Sequence, residues 1–317
     1  MRVIVTGVDS FVGRHLGRLA MTEGVELIGV GLPSILDPDV AALFAEYHDV
    51  DLRERWPEDI QGDAIIHLPG HAAVGPSFTR PQSYVADNAA ITIRMCEWIL
   101  ATPTFRSTRI VGISSSTVYR SNASPIDEAA PIAYASPYAI GKVLVEHLLD
   151  YYRGRGLDTV VVRPFNHIGP GQNPGTLIPD LVARLRTVGP GDTMATGNLD
   201  SRRDYTDVRD VVRAYLTLAT CDRPAHDVYN VASGIAYSGR GILETICRAE
   251  SRPVPSLTSD AAQDRHVDAD VFVGDAHRLE SEFGWHPTIG LEQSIADYIE
   301  WADFTESATC RTERRAR

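Results

Sequence analysis

The 317-residue sequence predicts an α/β fold, a doubly wound parallel sheet with a smaller second lobe, on three observations. Short apolar, β-branched runs alternate with helical patterns through the first half, the signature of βαβ units. The first run enters a glycine-bearing turn, TGVDSFVG, that opens an amphipathic helix. After Arg163 the alternation gives way to PFNHIGPGQNPG, where Pro, Gly and Asn favour loops over sheet.

Taken in order, strands are expected at Arg2–Thr6, Glu26–Val30, Ala64–Leu68, Thr108–Ser114 and Thr159–Arg163, with helices at Phe11–Glu23, Gln82–Ala101 and Ser136–Arg155. Further helices are expected at Leu177–Arg186, Asp207–Ala219, Gly239–Ala249, Ala276–Phe283 and Leu291–Ala302, with a short strand at Asp227–Val231. Residues 1–165, with a segment returning near 205–235, then form a dinucleotide-binding domain. Residues 166–204 and 236–304 form a lobe on the carboxyl edge of the sheet, where open α/β sheets bind ligands. Residues 305–317 carry four arginines and no apolar pattern, and read as a frayed tail.

Composition narrows the partners. The chain is 44% hydrophobic, enough for a proper core, and its 42 acidic against 30 basic side chains give a net charge of −12. That balance argues against nucleic acid and against an anionic membrane, both of which need a basic surface. No apolar run approaches the roughly 20 residues of a membrane helix, and MRVIVTGVD has no signal-peptide pattern, so a cytoplasmic protein is expected. Cys96, Cys221, Cys247 and Cys310 are too scattered for a metal site or a disulfide framework and are expected as reduced thiols.

The glycine turn is the first candidate site. Gly7 and Gly13 let the backbone approach a pyrophosphate whose charge rests on the helix N-terminus. Two departures stand out: Ser10 replaces a middle glycine, and Val30-Gly31-Leu32 lacks the acid that binds an adenosine ribose in NAD enzymes. NADH and NADPH both remain open. Asp51-Leu52 suits an adenine amino group, and the strand ending in HLPG, with Leu68, Pro69 and Gly70, faces the nicotinamide side.

Of the 30 basic residues, 29 are arginine and one is lysine, Lys142. It follows Tyr138 by four positions in SPYAIGKVLVEH, which on a helix puts both on one face. An ammonium beside a phenol stabilises the phenolate and is expected to lower the tyrosine pKa from about 10, each unit being worth roughly 1.4 kcal/mol. A hydroxyl from ISSSTVY can donate to the same substrate oxygen, as carbonyl reduction requires. Arginine could not replace this lysine, because its pKa is too high to share protons.

TGVDSFVG, ISSSTVY, YAIGK and RPFNHIGPGQ together resemble the extended short-chain dehydrogenase/reductases that act on nucleotide sugars, and the likeness spans roughly residues 1–302. The resemblance implies NAD(H) or NADP(H) as cofactor, a catalytic set of Ser115, Tyr138 and Lys142, and Asn88 propping the site. It implies cofactor contacts from Gly7, Ser10, Phe11, Val12, Gly13, Asp51, Leu52, Leu68, Pro69, Gly70, Asn88, Pro164 and His167. Val74, Ser116, Asn166, Ile178, Arg203, Arg265 and Asp268 are implied on the nucleotide-sugar side, and a homodimer through the two long helices. No metal is implied.

Dehydratases of the group place Asp or Glu directly after the catalytic Ser/Thr, where this chain has Ser116 and Thr117. A 4,6-dehydratase is therefore not expected, although reductase relatives often carry Glu at the position of Thr117. HLPGHAAVGPSF, RPFNHIGPGQ and GNLDSRRDYTDV resemble the GDP-sugar 4-ketoreductases, which act on a 4-keto-6-deoxyhexose nucleotide. A 4-epimerase of the same group is the alternative, and a non-catalytic dinucleotide-binding scaffold is the reading from another class.

Overall fold

The computed structural model describes residues 1–32, 38–68, 70–120, 125–189, 191–259 and 271–315. Its main sheet has seven strands, all parallel, in the order β10-β6-β5-β4-β1-β2-β3. These are β1 (Arg2–Thr6), β2 (Glu26–Gly31), β3 (Glu46–Asp49), β4 (Ala64–His67), β5 (Arg109–Ile113), β6 (Asp158–Pro164) and β10 (Val228–Val231). The chain runs outward from β1 to β3, then returns to lay β4 against the other side of β1. That reversal opens a crevice at the carboxyl ends of β1 and β4, the position where doubly wound sheets bind ligands.

Alternation along the strands explains the two layers of helix. Val3 and Val5 face one side and Ile4 the other, so each strand feeds two cores. One core holds α1 (Phe11–Glu23) and α7 (Val208–Thr220) through Leu16, Ala20, Val211 and Tyr215. The other holds α4 (Pro81–Ala101) and α5 (Pro137–Gly154) through Met95, Ile99, Val145 and Leu149. The short helices α2 (Pro38–Ala41) and α3 (Val74–Ser77) lie in the connections.

A separate apolar core joins α6 (Leu177–Thr187), α8 (Gly239–Ala249) and α10 (Leu291–Arg315). Its strands are β7 (Asn166–Ile168), β9 (Arg202–Asp207), β11 (Ala236–Ser238) and β13 (Val271–Phe272) in one sheet, and β8 (Thr193–Thr196) with β12 (Ser256–Ser259) in another. The helix α9 (His277–Phe283) packs near β10.

Two expectations need correction. β3, EYHD, was not visible as a strand because it is an edge with no apolar pattern; its backbone is recruited by β2. The tail is not frayed at Thr305: α10 runs on to Arg315, since nothing from Leu291 onward is Gly or Pro and Arg186 ties Asp303 and Glu306 to α6. Among the described residues no helix is long and apolar enough to cross a membrane. Cys96, Cys221 and Cys247 are free thiols.

Candidate active site

The crevice begins at Gly7, whose φ of +72° is open to glycine and strained for other residues. A Cβ there would stand 2.9 Å from the Leu68 carbonyl oxygen, so the β1 loop and the end of β4 nearly touch. Ser10 does not obstruct the turn. It adopts ordinary extended dihedrals (φ −74°, ψ 162°) and caps α1, its Oγ accepting from Gly13 N at 3.1 Å. The N–H groups of Phe11 and Val12 have no acceptor within the helix and point outward from its positive end.

The β1–β4 junction is sealed by a buried polar chain. Leu68 N donates to Thr6 Oγ1 at 3.1 Å, and Thr6 Oγ1 meets His67 Nδ1 at 2.9 Å. His67 Nε2 lies 3.3 Å from Thr92 Oγ1, which donates to the Asn88 carbonyl at 2.8 Å. Only one proton arrangement satisfies every member: neutral His67 protonated on Nε2, with Nδ1 accepting from Thr6. Burial, reinforced by Lys142, pushes the His67 pKa down to about 3, so the ring stays neutral.

Ser115 follows β5, and Tyr138 and Lys142 lie in the first turns of α5, which Ser136 caps by accepting from Ala139 N at 3.1 Å. The side chains are brought together and are nearly sealed, Tyr138 7% and Lys142 3% exposed. Thr117 donates to Ser115 Oγ twice, from N at 3.2 Å and from Oγ1 at 3.0 Å. Both lone pairs of that oxygen are thereby used, which leaves the Ser115 proton free to turn toward Tyr138, whose pKa Ser115 works to lower. Thr117 thus orients the Ser115 hydroxyl on the side of the site where Tyr138 lies.

Electrostatics overturn the expected phenolate. Lys142 Nζ donates to the Ile113 carbonyl at 3.0 Å and sits over the Tyr138 ring, 5.6 Å from its centroid. Burial is the larger influence, pushing Tyr138 up to about 12 against the opposing Ser115 bond. Burial also brings Lys142 down to about 7, opposed by the charge of Glu146 one turn further along α5. Glu146 is itself held by Arg163, with Nη2 to Oε2 at 2.6 Å, and by the Ser114 hydroxyl. Sequence reading missed Glu146, although its spacing from Lys142 repeats that of Lys142 from Tyr138.

The remaining expected residues divide. Asp51 is already engaged by Arg53, Nη2 to Oδ2 at 2.6 Å, which holds its carboxyl below the usual range; Leu52 is buried. Pro164 ends β6, and His167 stacks on Phe11 at 6.0 Å between centroids, joining β7 to α1. Gly70 is exposed, Val74 half-buried and Ser116 buried. Asn166 and Arg203 lie on β7 and β9 above the same sheet edge, the Asn166 amide donating to the Asp204 carbonyl at 3.2 Å. Ile178, at 1% exposure, packs in the core of the second lobe. Pro69, Arg265 and Asp268 lie outside the described residues.

These groups fit a dinucleotide on the chain's own geometry. The Gly7 turn admits backbone where a Cβ would collide, and the N-terminus of α1 offers N–H groups to an anion. Asn88, fully buried, holds an Nδ2 with no hydrogen-bond partner in the structure, its Oδ1 accepting from His71 N at 3.4 Å. Among the described residues no cluster of three metal-ligating side chains occurs.

Comparison with known proteins agrees. The pattern of the NAD dependent epimerase/dehydratase family matches residues 3–232. GDP-6-deoxy-D-mannose reductase of Pseudomonas aeruginosa is 31% identical over 304 residues, 93% of this chain and 94% of the relative. UDP-glucose 4-epimerase of Bacillus subtilis is 25% identical, covering 95% of this chain and 96% of its own length. The structure of RMD from Pseudomonas aeruginosa complexed with NADPH superposes with a TM-score of 0.77 at 30% identity, covering 95% of this chain and 98% of that one. This chain belongs to the NAD dependent epimerase/dehydratase family, a nucleotide-sugar-modifying branch of the extended short-chain dehydrogenase/reductases, and is an NAD(P)-dependent oxidoreductase.

Proposed function

We propose that the protein is a nucleotide-sugar 4-ketoreductase that reduces C4 of a 4-keto-6-deoxyhexose bound as its nucleotide diphosphate, with GDP-4-keto-6-deoxymannose as the substrate of choice. The observation that carries this reading is the surroundings of Ser115: hydroxyls from Thr117 and Tyr138, and no carboxylate where a dehydratase needs its extra acid and base. The likeness to GDP-6-deoxy-D-mannose reductase at 31%, against 28% for a dTDP-glucose 4,6-dehydratase and 25% for the epimerase, supports the sugar class.

When bound, NAD(P)H would supply the hydride that C4 receives. Phe11 and Val12 N–H groups would hold its pyrophosphate, and Asn88 and Lys142 would hold its nicotinamide half. Tyr138 gives its proton to O4 as the C4–H bond forms, so the carbonyl becomes a hydroxyl. Ser115 donates to the Tyr138 oxygen and stabilises the negative charge that the departing proton leaves there.

Asn166 and Arg203 hold the diphosphate, the guanidinium providing local positive charge within an acidic protein. Val74 and Ser116 face the sugar. The active unit is a cytoplasmic homodimer through α4 and α5, whose Ile93, Ile140 and Tyr151 are exposed. The test is stoichiometry with GDP-4-keto-6-deoxymannose: one NAD(P)H oxidised per sugar is expected. Interconversion of two nucleotide sugars with only catalytic cofactor would make the protein an epimerase instead.

A further inference from the structure

At the adenosine end of the groove, far along the sheet from Tyr138, a second tyrosine occupies an unusual place. Tyr47 of β3 lays its ring along β2 over Gly29 and Gly31: a Cβ on Gly29 would stand 3.1 Å from Cδ2, and one on Gly31 3.0 Å from Oη. The same Cβ on Gly31 would lie 3.6 Å from Val8 Cγ2, in the turn that precedes α1. The phenol therefore reaches the point where a strand-end carboxylate would leave the backbone, beside the pyrophosphate loop. In doubly wound sites an acid there binds the ribose 2′-OH, whereas a nearby arginine accepts a 2′-phosphate.

The polarity of the phenol is fixed by its neighbours. Its proton is donated to the Leu32 carbonyl at 3.0 Å, which leaves its oxygen with lone pairs only. A ribose 2′-OH can donate to that oxygen; a 2′-phosphate, itself all acceptor near neutral pH, cannot. The charges bearing on the phenol are both carboxylates, Asp49 at the end of β3 and Asp9 in the loop before α1. Residues 31–45 contain no lysine or arginine. Arg53, beyond β3, is committed to Asp51 and has its other nitrogen 3.7 Å from Asp87.

We propose that Tyr47 stands in for the absent strand-end acid by accepting from the adenosine ribose 2′-OH, and that Asp9 and Asp49 set the site against a 2′-phosphate, so that the enzyme selects NAD(H) over NADP(H). This rests on dinucleotide binding and not on which sugar is reduced. Calorimetric titration with NADH and NADPH, without any sugar, tests it. NADH is expected to bind the unaltered protein at least about tenfold more tightly than NADPH. Tyr47→Phe keeps the ring over the glycines and removes the acceptor, so NADH binding weakens about tenfold while NADPH binding holds. The double variant Asp9→Asn, Asp49→Asn tightens NADPH and leaves NADH where it was. Equal or tighter binding of NADPH by the unaltered protein overturns the proposal, as does a Tyr47→Phe protein whose two affinities are both unchanged. A protein that selects NADH but reduces no keto-sugar would sink the reductase assignment and leave this one standing.

Discussion

The two walls of the cleft are built on opposite principles. On the sheet side Tyr138, Lys142, Asn88 and His67 are almost wholly buried, each facing backbone or another fixed side chain. On the lobe side Asn166 is exposed and Arg203 half-buried, on strands of three and six residues that pair chiefly with each other and with β11 and β13. Burial fixes protonation and geometry, which chemistry requires; exposure leaves recognition to be altered without disturbing the core. Asp204 is the joint between them: buried on β9, it accepts from Ser233 N and Oγ, Gly234 N and Gly274 N, pinning the loops after β10 and β13 to the substrate strand.

If the contrast holds, substitutions on the buried wall should act on turnover and those on the exposed wall on affinity. The largest effect is expected from Tyr138→Phe. It removes the proton donor and keeps the packed ring, so kcat should fall about 10²–10⁴-fold with the unfolding midpoint little changed. A KM effect without loss of kcat would show that this hydroxyl binds and does not react.

Next comes Lys142→Arg, the substitution toward the residue used at the other 29 basic positions. The slot between the Ile113 carbonyl and the Tyr138 ring holds a compact ammonium, and the wider planar fork strains it by about 1–3 kcal/mol. The variant should fold with a lowered melting temperature and lose most of its turnover. Unaltered kcat in a well-folded variant would mean that the lone lysine reflects composition and not chemistry.

What could be read in the sequence follows the same divide. The Tyr138–Lys142 pair and the Gly7 turn were legible because each lies within one helix or one strand–turn–helix, where spacing sets geometry. The state of the phenol was not, because spacing places a cation nearby without saying that Lys142 aims at a carbonyl or that burial exceeds its charge. The relay through Thr117 and the chain from Thr6 through His67 to Thr92 depend on contacts between segments distant in sequence or on rotamers at a turn. β7, β9 and Asp204 were hidden for a further reason: short strands whose inward-facing residues are mostly polar have no apolar alternation to read.

A finer test of the buried wall is Glu146→Gln. The one charge that bears on the Lys142 pKa is Glu146 from its own helix, which raises it; His67 from β4 is neutral, and Tyr138 presents its ring. Removing the Glu146 charge while keeping an acceptor for Ser114 lowers the lysine further from about 7, so the proton is lost at a lower pH. The alkaline limb of the rate profile should shift toward acid, with activity retained on the acid side. A uniform loss at every pH would mark Glu146 as a scaffold residue for Arg163 and nothing more.

The smallest effect belongs to the exposed wall. Arg203 sits on β9 beside buried Asp204, and its Nη1 donates to the Arg202 carbonyl at 2.9 Å, so its guanidinium is oriented without being enclosed. A half-exposed cation meeting a diphosphate gains a charge-assisted hydrogen bond, and solvent weakens the gain. Arg203→Ala should therefore raise KM for the nucleotide sugar about tenfold and change kcat little, with added salt narrowing the gap between variant and parent. If kcat fell as far as in Tyr138→Phe, the substrate's diphosphate would have to position C4 over the buried wall, and the two walls would act as one machine.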